Sequence, residues 1–298
     1  MTRRMTLAVL CAAVAACGGS SGSGGNAAVS REFNYQTTSS PAGSSAQSAV
    51  QSSLTSTLAL QGSPSAQNAQ GATMFMGTTS ALLGSPTEGL SLAGTSGSVQ
   101  QRALTRARSA FLSASDFEDL DFDEACVVST STSVTLNNCT VNINETDDGT
   151  TITGTVTANG SVTLTNANQT LTWDVTVSAN VDVSASGGSG SGGGSYHAAG
   201  TLTVTAPTDA ADGTIEGNMT AELGFHASSG GQSLSIGVHE SLALDLTYQS
   251  GECVTGGTLE AKRVWTDWSV PGESTRPSDK AALVTFTGCN TATVQLSI

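Results

Sequence analysis

The chain has 298 residues, and its 24 acidic and 10 basic side chains give it a formal charge of −14 at pH 7. A surface this acidic repels nucleic acid and anionic lipid, which excludes both as partners recognised by charge. Charged residues make up only 11% of the chain, and Ser, Thr, Gly and Asn supply most of the polarity. This composition favours an exported, sheet-rich protein over a cytosolic enzyme.

The N-terminus carries the most specific motif of the chain. Two arginines precede a short apolar run that ends in small residues and Cys17. The run is far shorter than the roughly 20 residues that a transmembrane helix needs, so it predicts an export signal. The segment Val14–Cys17 resembles the lipobox of bacterial lipoproteins. The resemblance implies that residues 1–16 are cleaved and that Cys17 carries the lipid.

Attachment to a membrane is therefore expected through lipid on Cys17. Gly18, with no Asp following it, is typical of lipoproteins released to the outer membrane. Cleavage removes two arginines and no acidic residue, so the formal charge changes from −14 to −16. The alternative is an ordinary secretory signal in which Cys17 has no role. The expected location is the bacterial cell envelope.

Four cysteines lie in the body of the chain, and an even number behind an export signal indicates disulfides. Of the three possible connectivities we favour Cys126 with Cys139 and Cys253 with Cys289. Each pair brackets a segment that resembles a hairpin or two neighbouring strands. Zinc is the disfavoured alternative, because no CxxC spacing exists and no His lies near either pair.

Two segments precede the body of the chain. Residues 17–43 are rich in Gly, Ser, Thr and Asn, which predicts a flexible tether. Between 44 and 113 apolar residues recur at spacings of three and four, as at Ala46, Ala49 and Val50, which predicts a helical segment. Gly and Pro residues divide this segment into short pieces, so we expect the pieces to pack on a sheet.

An acidic run, DFEDLDFDE, lies in a predicted linker over residues 114–125. Asp119, Asp121 and Asp123 are the candidate ligands of a calcium ion, because Ca²⁺ prefers oxygen ligands. The Gly and the Glu that complete an EF-hand loop are missing at its sixth and twelfth positions. The pattern therefore favours a solvated linker without metal.

From Thr150 onwards apolar and polar residues alternate with period two, most regularly between Leu171 and Val183. Such alternation predicts antiparallel strands with one apolar and one polar face. The predicted fold class is α+β, mainly β. It comprises an N-terminal helical segment packed on a long, curved antiparallel β-meander of about nine strands.

Two-residue turns fix the expected register of this meander. A turn at residues 167–168 sets Val162 opposite Trp173. A second turn, made by two glycines at residues 230–231, pairs the flanking apolar residues in phase over their full length. Each apolar residue then meets an apolar partner on the next strand.

One residue interrupts the apolar face. A third turn, at residues 250–251, sets Leu242 opposite Leu259 and Glu240 diagonal to Arg263. We expect a partly buried ion pair between Glu240 and Arg263, because an unpaired carboxylate there costs several kcal/mol. A structural role for the pair is favoured over the alternative of a polar anchor inside a ligand cavity.

No catalytic constellation is visible. The histidines are His197, His226 and His239, and the two-glycine turn sets His239 opposite Glu222 on the polar face without a second His in reach. No GxSxG nucleophile elbow occurs. The GxGxxG pattern at 188–193 lies between two predicted strands, so a hairpin connection is expected there, not a dinucleotide loop. We therefore expect a protein that is not an enzyme and has no cofactor.

The expected role is a lipid-anchored envelope protein that binds or contacts a partner. The first alternative is a carrier of lipid or another hydrophobic ligand between the helices and the sheet, and the second is an enzyme with an unrecognised site. The expected organisation is a signal peptide (1–16), a tether (17–43), a helical segment (44–113), an acidic linker (114–125) and a β domain (126–298) that packs with the helical segment as one unit.

Overall fold

The structure is a computed structural model in which 11 strands form one antiparallel sheet. Strands account for 86% of the residues that it describes. The described residues are 32–37, 79, 82–83, 124–130, 132–147, 150–165, 170–185, 188–205, 211–249, 253–289 and 291–297.

From β2 to β11 each strand pairs with the next along the chain, so the sheet is a meander. The short β1 pairs with β11, the last strand, and lies at the opposite edge from β2. The strands are β1 (Tyr35–Thr37), β2 (Val127–Ser129), β3 (Ser133–Asp147), β4 (Thr150–Thr165), β5 (Thr170–Ala185), β6 (Gly188–Thr205), β7 (Gly213–Ser229), β8 (Gln232–Gln249), β9 (Cys253–Ser269), β10 (Lys280–Gly288) and β11 (Thr291–Ser297). A 3-10 turn, Glu124–Cys126, precedes β2.

The predicted α+β class is wrong: the described part of the chain is nearly all β and has 11 strands instead of about nine. Of the segment 44–113 the structure describes only Thr79, Leu82 and Leu83, whose backbone is helical and which are buried. The rest of that segment lies outside the described residues. Three-four spacing is a weak signal here, because short pieces rich in Ala, Ser and Gln gain little stability from their own hydrogen bonds.

The alternating pattern of β5 divides the sheet into two faces. Every odd-numbered residue from Leu171 to Val183 is buried, and the residues between them are exposed or half-buried. Trp173 lies opposite Val162 of β4, as predicted, and opposite Gly200 of β6 on its other side. A Cβ atom at Gly200 would lie 2.6 Å from Cζ2 of Trp173, so only glycine leaves room for the indole ring. We call the side that carries Trp173 the apolar face and the opposite side the polar face.

The hairpin of β7 and β8 confirms the predicted two-glycine turn. Gly230 and Gly231 have φ values of 58° and 81°, a region that favours glycine. Phe225 lies opposite Ile236, and the pairing continues without a shift along both strands. The turn therefore fixes which side chains of these two long strands face the core.

The hairpin of β8 and β9 departs from the predicted register by two residues. Leu242 lies opposite Ala261, where the sequence suggests Leu259. Three residues connect the two strands instead of two, and a β-bulge at Thr255 adds another. Because the two additions together preserve the parity of the pairing, the apolar residues of β9 stay on the apolar face.

The glycine-rich run at 188–193 belongs to β6, although the sequence suggests a hairpin connection. It pairs with β5 from Gly188 onwards and with β7 from Gly190 onwards, so that Gly192 lies between Val181 of β5 and Ala227 of β7. Hydrogen bonds of the backbone to two adjacent strands do not need side chains. Tertiary pairing therefore overrides the low strand propensity of glycine.

Candidate functional site

The structure brings together one of the two predicted cysteine pairs. Cys126 and Cys139 form a disulfide that ties the segment before β2 to β3. Cys289 is also disulfide-bonded. The side chain of Cys253, its predicted partner, is outside the described part of the structure, and so is Cys17. The pairing of Cys253 with Cys289 stays a prediction.

The candidate calcium ligands Asp119, Asp121 and Asp123 also lie outside the described residues. Within the described part, no three side chains of His, Cys, Asp or Glu are grouped so that they could hold a metal ion.

Glu240 and Arg263 form an ion pair on the apolar face. They lie directly opposite each other in β8 and β9, whereas the predicted register sets them on a diagonal. Nε and Nη2 of Arg263 each lie 2.5 Å from Oε1 of Glu240. The two side chains are only 2% and 5% exposed. At this depth each charge depends on the other, because removal of one leaves the other buried without compensation.

Two cations converge on one backbone carbonyl beside this pair. The oxygen of Leu83 accepts hydrogen bonds from Nη1 of Arg263 at 3.4 Å and from Nζ of Lys280 at 3.2 Å. Lys280 lies opposite Arg263 in β10. Arg263 thus joins a carboxylate of the sheet to a residue about 180 positions earlier in the chain. These contacts hold the helical residue Leu83 against the apolar face.

The ion pair lies between two clusters of apolar side chains. Leu242, on one side of Glu240 in β8, belongs to the larger cluster, and Val238, on the other side, belongs to the smaller one with Trp265. The rings of Trp265 and Trp268 meet edge to face, with centroids 5.1 Å apart. The pair therefore joins β8 to β9 inside the core, at the boundary between the two clusters.

We predict that Arg263→Met lowers the free energy of unfolding by about 3–5 kcal/mol, because it strands the Glu240 carboxylate in the core. The double variant Glu240→Leu with Arg263→Met should recover most of this loss. Asp174→Asn, which removes the carboxylate of an exposed ion pair, is the control and should cost less than about 1 kcal/mol. Urea unfolding measures all three. If Arg263→Met unfolds with the same free energy as the wild type, the ion pair does not stabilise the fold and this prediction is wrong.

Four charged or titratable side chains form a row across the polar face. His197 lies opposite Glu222, and Glu222 lies opposite His239. Nε2 of His197 is 3.0 Å from Oδ1 of Asp174 in β5. Acid and histidine therefore alternate over β5, β6, β7 and β8. The predicted pairing of His239 with Glu222 is confirmed.

His239 is buried, although it lies on the polar face. Its exposure is 4%, and Val264, opposite it in β9, is also buried. Nδ1 of His239 is 3.5 Å from Oε1 of Glu222, and neither ring nitrogen has a hydrogen-bond partner among the described residues. Burial lowers the pKa of His239 below its ordinary value of 6.5, and the Glu222 carboxylate offsets only part of that effect.

We predict that folding stability decreases as the pH falls below about 6.5, because the unfolded chain then binds a proton that the buried His239 resists. His239→Gln should flatten this dependence between about pH 7 and 5. The exposed His226 supplies the matched control, since His226→Gln should leave the dependence unchanged. Urea unfolding at several pH values checks this prediction, and an equal slope in wild type and His239→Gln would contradict it.

A third polar group was not predicted from the sequence. The hydroxyl group of Tyr35 in β1 donates a hydrogen bond of 2.5 Å to Oε1 of Glu260, and Nζ of Lys262 lies 2.9 Å from Oε2 of the same carboxylate. Burial, and then the Glu260 carboxylate, raise the pKa of Tyr35 well above its ordinary value. The contact reaches from β1 across β11 and β10 to β9 and fastens the N-terminal strand to the sheet.

The sequence contains signals for these groups on the polar face. Phe33, Tyr35 and Thr37 alternate with polar residues within the segment predicted as tether, which is a short strand signature. Val264 and Ala281 are apolar residues on the polar face, and both are buried. Apolar residues at polar-face positions indicate a part of that face that is shielded from water.

Comparisons with family models, with curated proteins and with solved structures found no match for the chain. In the part of the chain that the structure describes, no helix has the length and apolarity needed to cross a bilayer.

Proposed function

We propose that the chain is a bacterial lipoprotein of the cell envelope that acts by binding a partner and has no catalytic role. The observation that carries the proposal is the resemblance of Val14–Cys17 to a lipobox, directly behind a charged and apolar export signal. Lipid on Cys17 anchors the protein, and Gly18 favours the outer membrane as its destination. Several acyl chains on one residue suffice for stable anchoring.

The disulfides support an extracytoplasmic location. Cys126 and Cys139 are bonded, and Cys289 is disulfide-bonded as well. Such bonds form and persist in oxidising compartments such as the periplasm and the cell surface. The acidic composition with few lysines fits the same environment.

The position of β1 supports a proposal in which only a short segment connects the lipid anchor to the sheet. Tyr35–Thr37 form β1, so the segment between Cys17 and Tyr35 is shorter than the predicted tether of 17–43. If the predicted tether is flexible, 17 residues of this composition reach about 20–25 Å. The hydrogen bond between Tyr35 and Glu260 fixes the point at which the tether joins the sheet.

The polar face supplies the surface for a partner. Between β4 and β7 it carries Thr, Ser and Asn side chains with few charges, and the row from Asp174 to His239 crosses it. A protein partner can bind such a surface through hydrogen bonds, which suits a non-catalytic role.

The alternative role, as a carrier of a hydrophobic ligand, is favoured by one observation. Nε1 of Trp268 is buried and has no hydrogen-bond acceptor among the described residues. It packs against the smaller apolar cluster, next to Trp265 and Val270. A ligand with an apolar body and one acceptor oxygen fits a site of that composition.

We predict that Cys17→Ser abolishes lipid attachment, because the thioether needs the cysteine sulfur. The full chain is produced in a bacterium that is fed a labelled fatty acid, and the label and the membrane fraction are followed. Cys11→Ser, in the same signal segment, is the matched control and should label as the wild type does.

A Cys17→Ser chain that is still labelled, or a wild-type chain that is never labelled, would contradict the lipoprotein assignment. Mass spectrometry of purified Cys17→Ser under native conditions separates the two roles. A chain without bound lipid supports the binding role, and lipid that stays bound without a covalent bond favours the carrier.

A further inference from the structure

The last part of β9 extends past the beginning of β10. β10 begins at Lys280, which lies opposite Arg263, whereas β9 continues to Ser269. The connection between the two strands, residues 270–279, therefore leaves the end of β9 without a partner in β10. The backbone N–H and C=O groups at such an edge need other hydrogen-bond partners.

Two side chains of this connection take the place of a β10 residue beside Trp265. The amide N–H of Trp265 donates to Oδ1 of Asp279 at 3.0 Å, and Nη1 of Arg276 donates to the carbonyl oxygen of Trp265. Nη2 of Arg276 lies 3.1 Å from Oδ2 of Asp279, which closes a ring of hydrogen bonds. In an antiparallel ladder a paired residue accepts one such bond and donates the other. Here the carboxylate is the acceptor and the guanidinium group is the donor, and we call the two side chains the Arg276–Asp279 clasp.

The two side chains of the clasp differ in their exposure. The side chain of Asp279 is 3% exposed, whereas that of Arg276 is 44% exposed. A buried carboxylate needs hydrogen-bond donors, and the Trp265 amide and the guanidinium group supply them. A guanidinium group that is nearly half in water gains little from its ion pair. Arg276 is therefore the part of the clasp that can leave and return.

A β-bulge lies directly after the clasped residue. In β8 and β9 Val238 lies opposite Trp265 and Gly237 lies opposite Asp267, so Thr266 is the additional residue. A bulge leaves one residue unpaired and interrupts the ladder locally. The clasp binds Trp265 from the side away from β8. It therefore holds β9 at a point where the pairing with β8 is interrupted.

The connection also contributes to the smaller apolar cluster. Trp265 and Trp268 belong to this cluster, and their rings are in contact. Val270, the first residue of the connection, belongs to the same cluster and is buried. A connection that separates from the backbone of Trp265 therefore also loosens the packing around both tryptophans.

We propose that the connection 270–279 opens as a unit while the rest of the sheet stays folded, and that the Arg276–Asp279 clasp keeps it closed. In the closed state the clasp occupies the pairing position beside Trp265 and prevents another strand from adding there. In the open state the N–H and C=O groups of Trp265 become available to an added strand. Segments held by side-chain contacts instead of a strand ladder open at a lower free energy than the whole fold. The proposal holds whether or not Cys17 carries lipid.

Hydrogen exchange of the purified full chain, followed by NMR, tests the proposal at the amide of Trp265. Arg276→Met removes the donor to the Trp265 carbonyl and should raise the exchange rate of the Trp265 amide by roughly tenfold or more. Asp279→Asn keeps an acceptor for that amide but replaces an acceptor of Arg276 by a donor, and should act in the same direction. The matched control is Glu273→Gln, at an exposed position of the same connection, which should leave the rate unchanged.

The amide of Leu244, in the inner strand β8, separates local opening from a loss of global stability. Its exchange rate should stay within about twofold of wild type in both clasp variants. In the wild type, exchange at Trp265 should depend less on urea than exchange at Leu244, because a local opening exposes less surface. A wild-type rate at Trp265 in either variant, an equal acceleration at Leu244, or an equal urea dependence of the two amides would overturn the proposal.

Discussion

The constraint on which the structure depends is the parity of the cross-strand register. Side chains alternate between the two faces with period two, so a slip of one residue in any strand exchanges its apolar and polar sides. From β4 to β8 the pairing runs without such a slip, and Trp173 finds the space left by Gly200. Next to its turn β9 gains two residues over the simplest hairpin, and these additions cancel in parity. Single shifts, at Thr266 of β9 and between Leu136 and Cys139 of β3, exchange the faces of the residues beyond them. The core therefore depends on where such shifts occur.

The middle of β8 and β9 is the one place in the described sheet where charged or titratable residues of both faces are fully buried. His239 and Glu240 are consecutive residues, so they face opposite sides, and both are 4% exposed. Opposite them in β9 stand Val264 and Arg263. On the apolar face the charge of Glu240 is matched by Arg263, whereas on the polar face His239 stays neutral beside Glu222. The stability of the fold therefore depends at this position on the ion pair and, through His239, on pH.

Much of the fold could be predicted from the sequence, and the errors have physical causes. The hairpins of β4–β5 and β7–β8 were predictable because two-residue turns and strict alternation leave one register that buries every apolar residue. The register of β9 was not predictable, because a bulge at Thr255 leaves no mark in the alternation of apolar and polar residues. β1 is only three residues long, and the glycines of β6 hide a strand that its neighbours impose.

The candidate site was predictable in part for the same reason. Glu240 and Arg263 stand out as charges in an apolar series, and their pairing needs only approximate register. The burial of His239 and the contact of Tyr35 with Glu260 depend on side chains from strands far apart in sequence, which local patterns do not report. The predicted fold class was wrong because three-four spacing in Ala- and Ser-rich pieces is a weak guide to the fold class of the whole chain.

Disulfide trapping across β8 and β9 tests the register most directly. Asp245 lies opposite Thr258 in the structure, whereas the hairpin without added residues sets it opposite Gly256. Directly opposed residues have the Cα separation that a disulfide requires, and diagonal ones do not. The account predicts a cross-link in Asp245→Cys with Thr258→Cys and none in Asp245→Cys with Gly256→Cys. The reverse result would contradict the register on which the buried ion pair and both faces of the sheet depend.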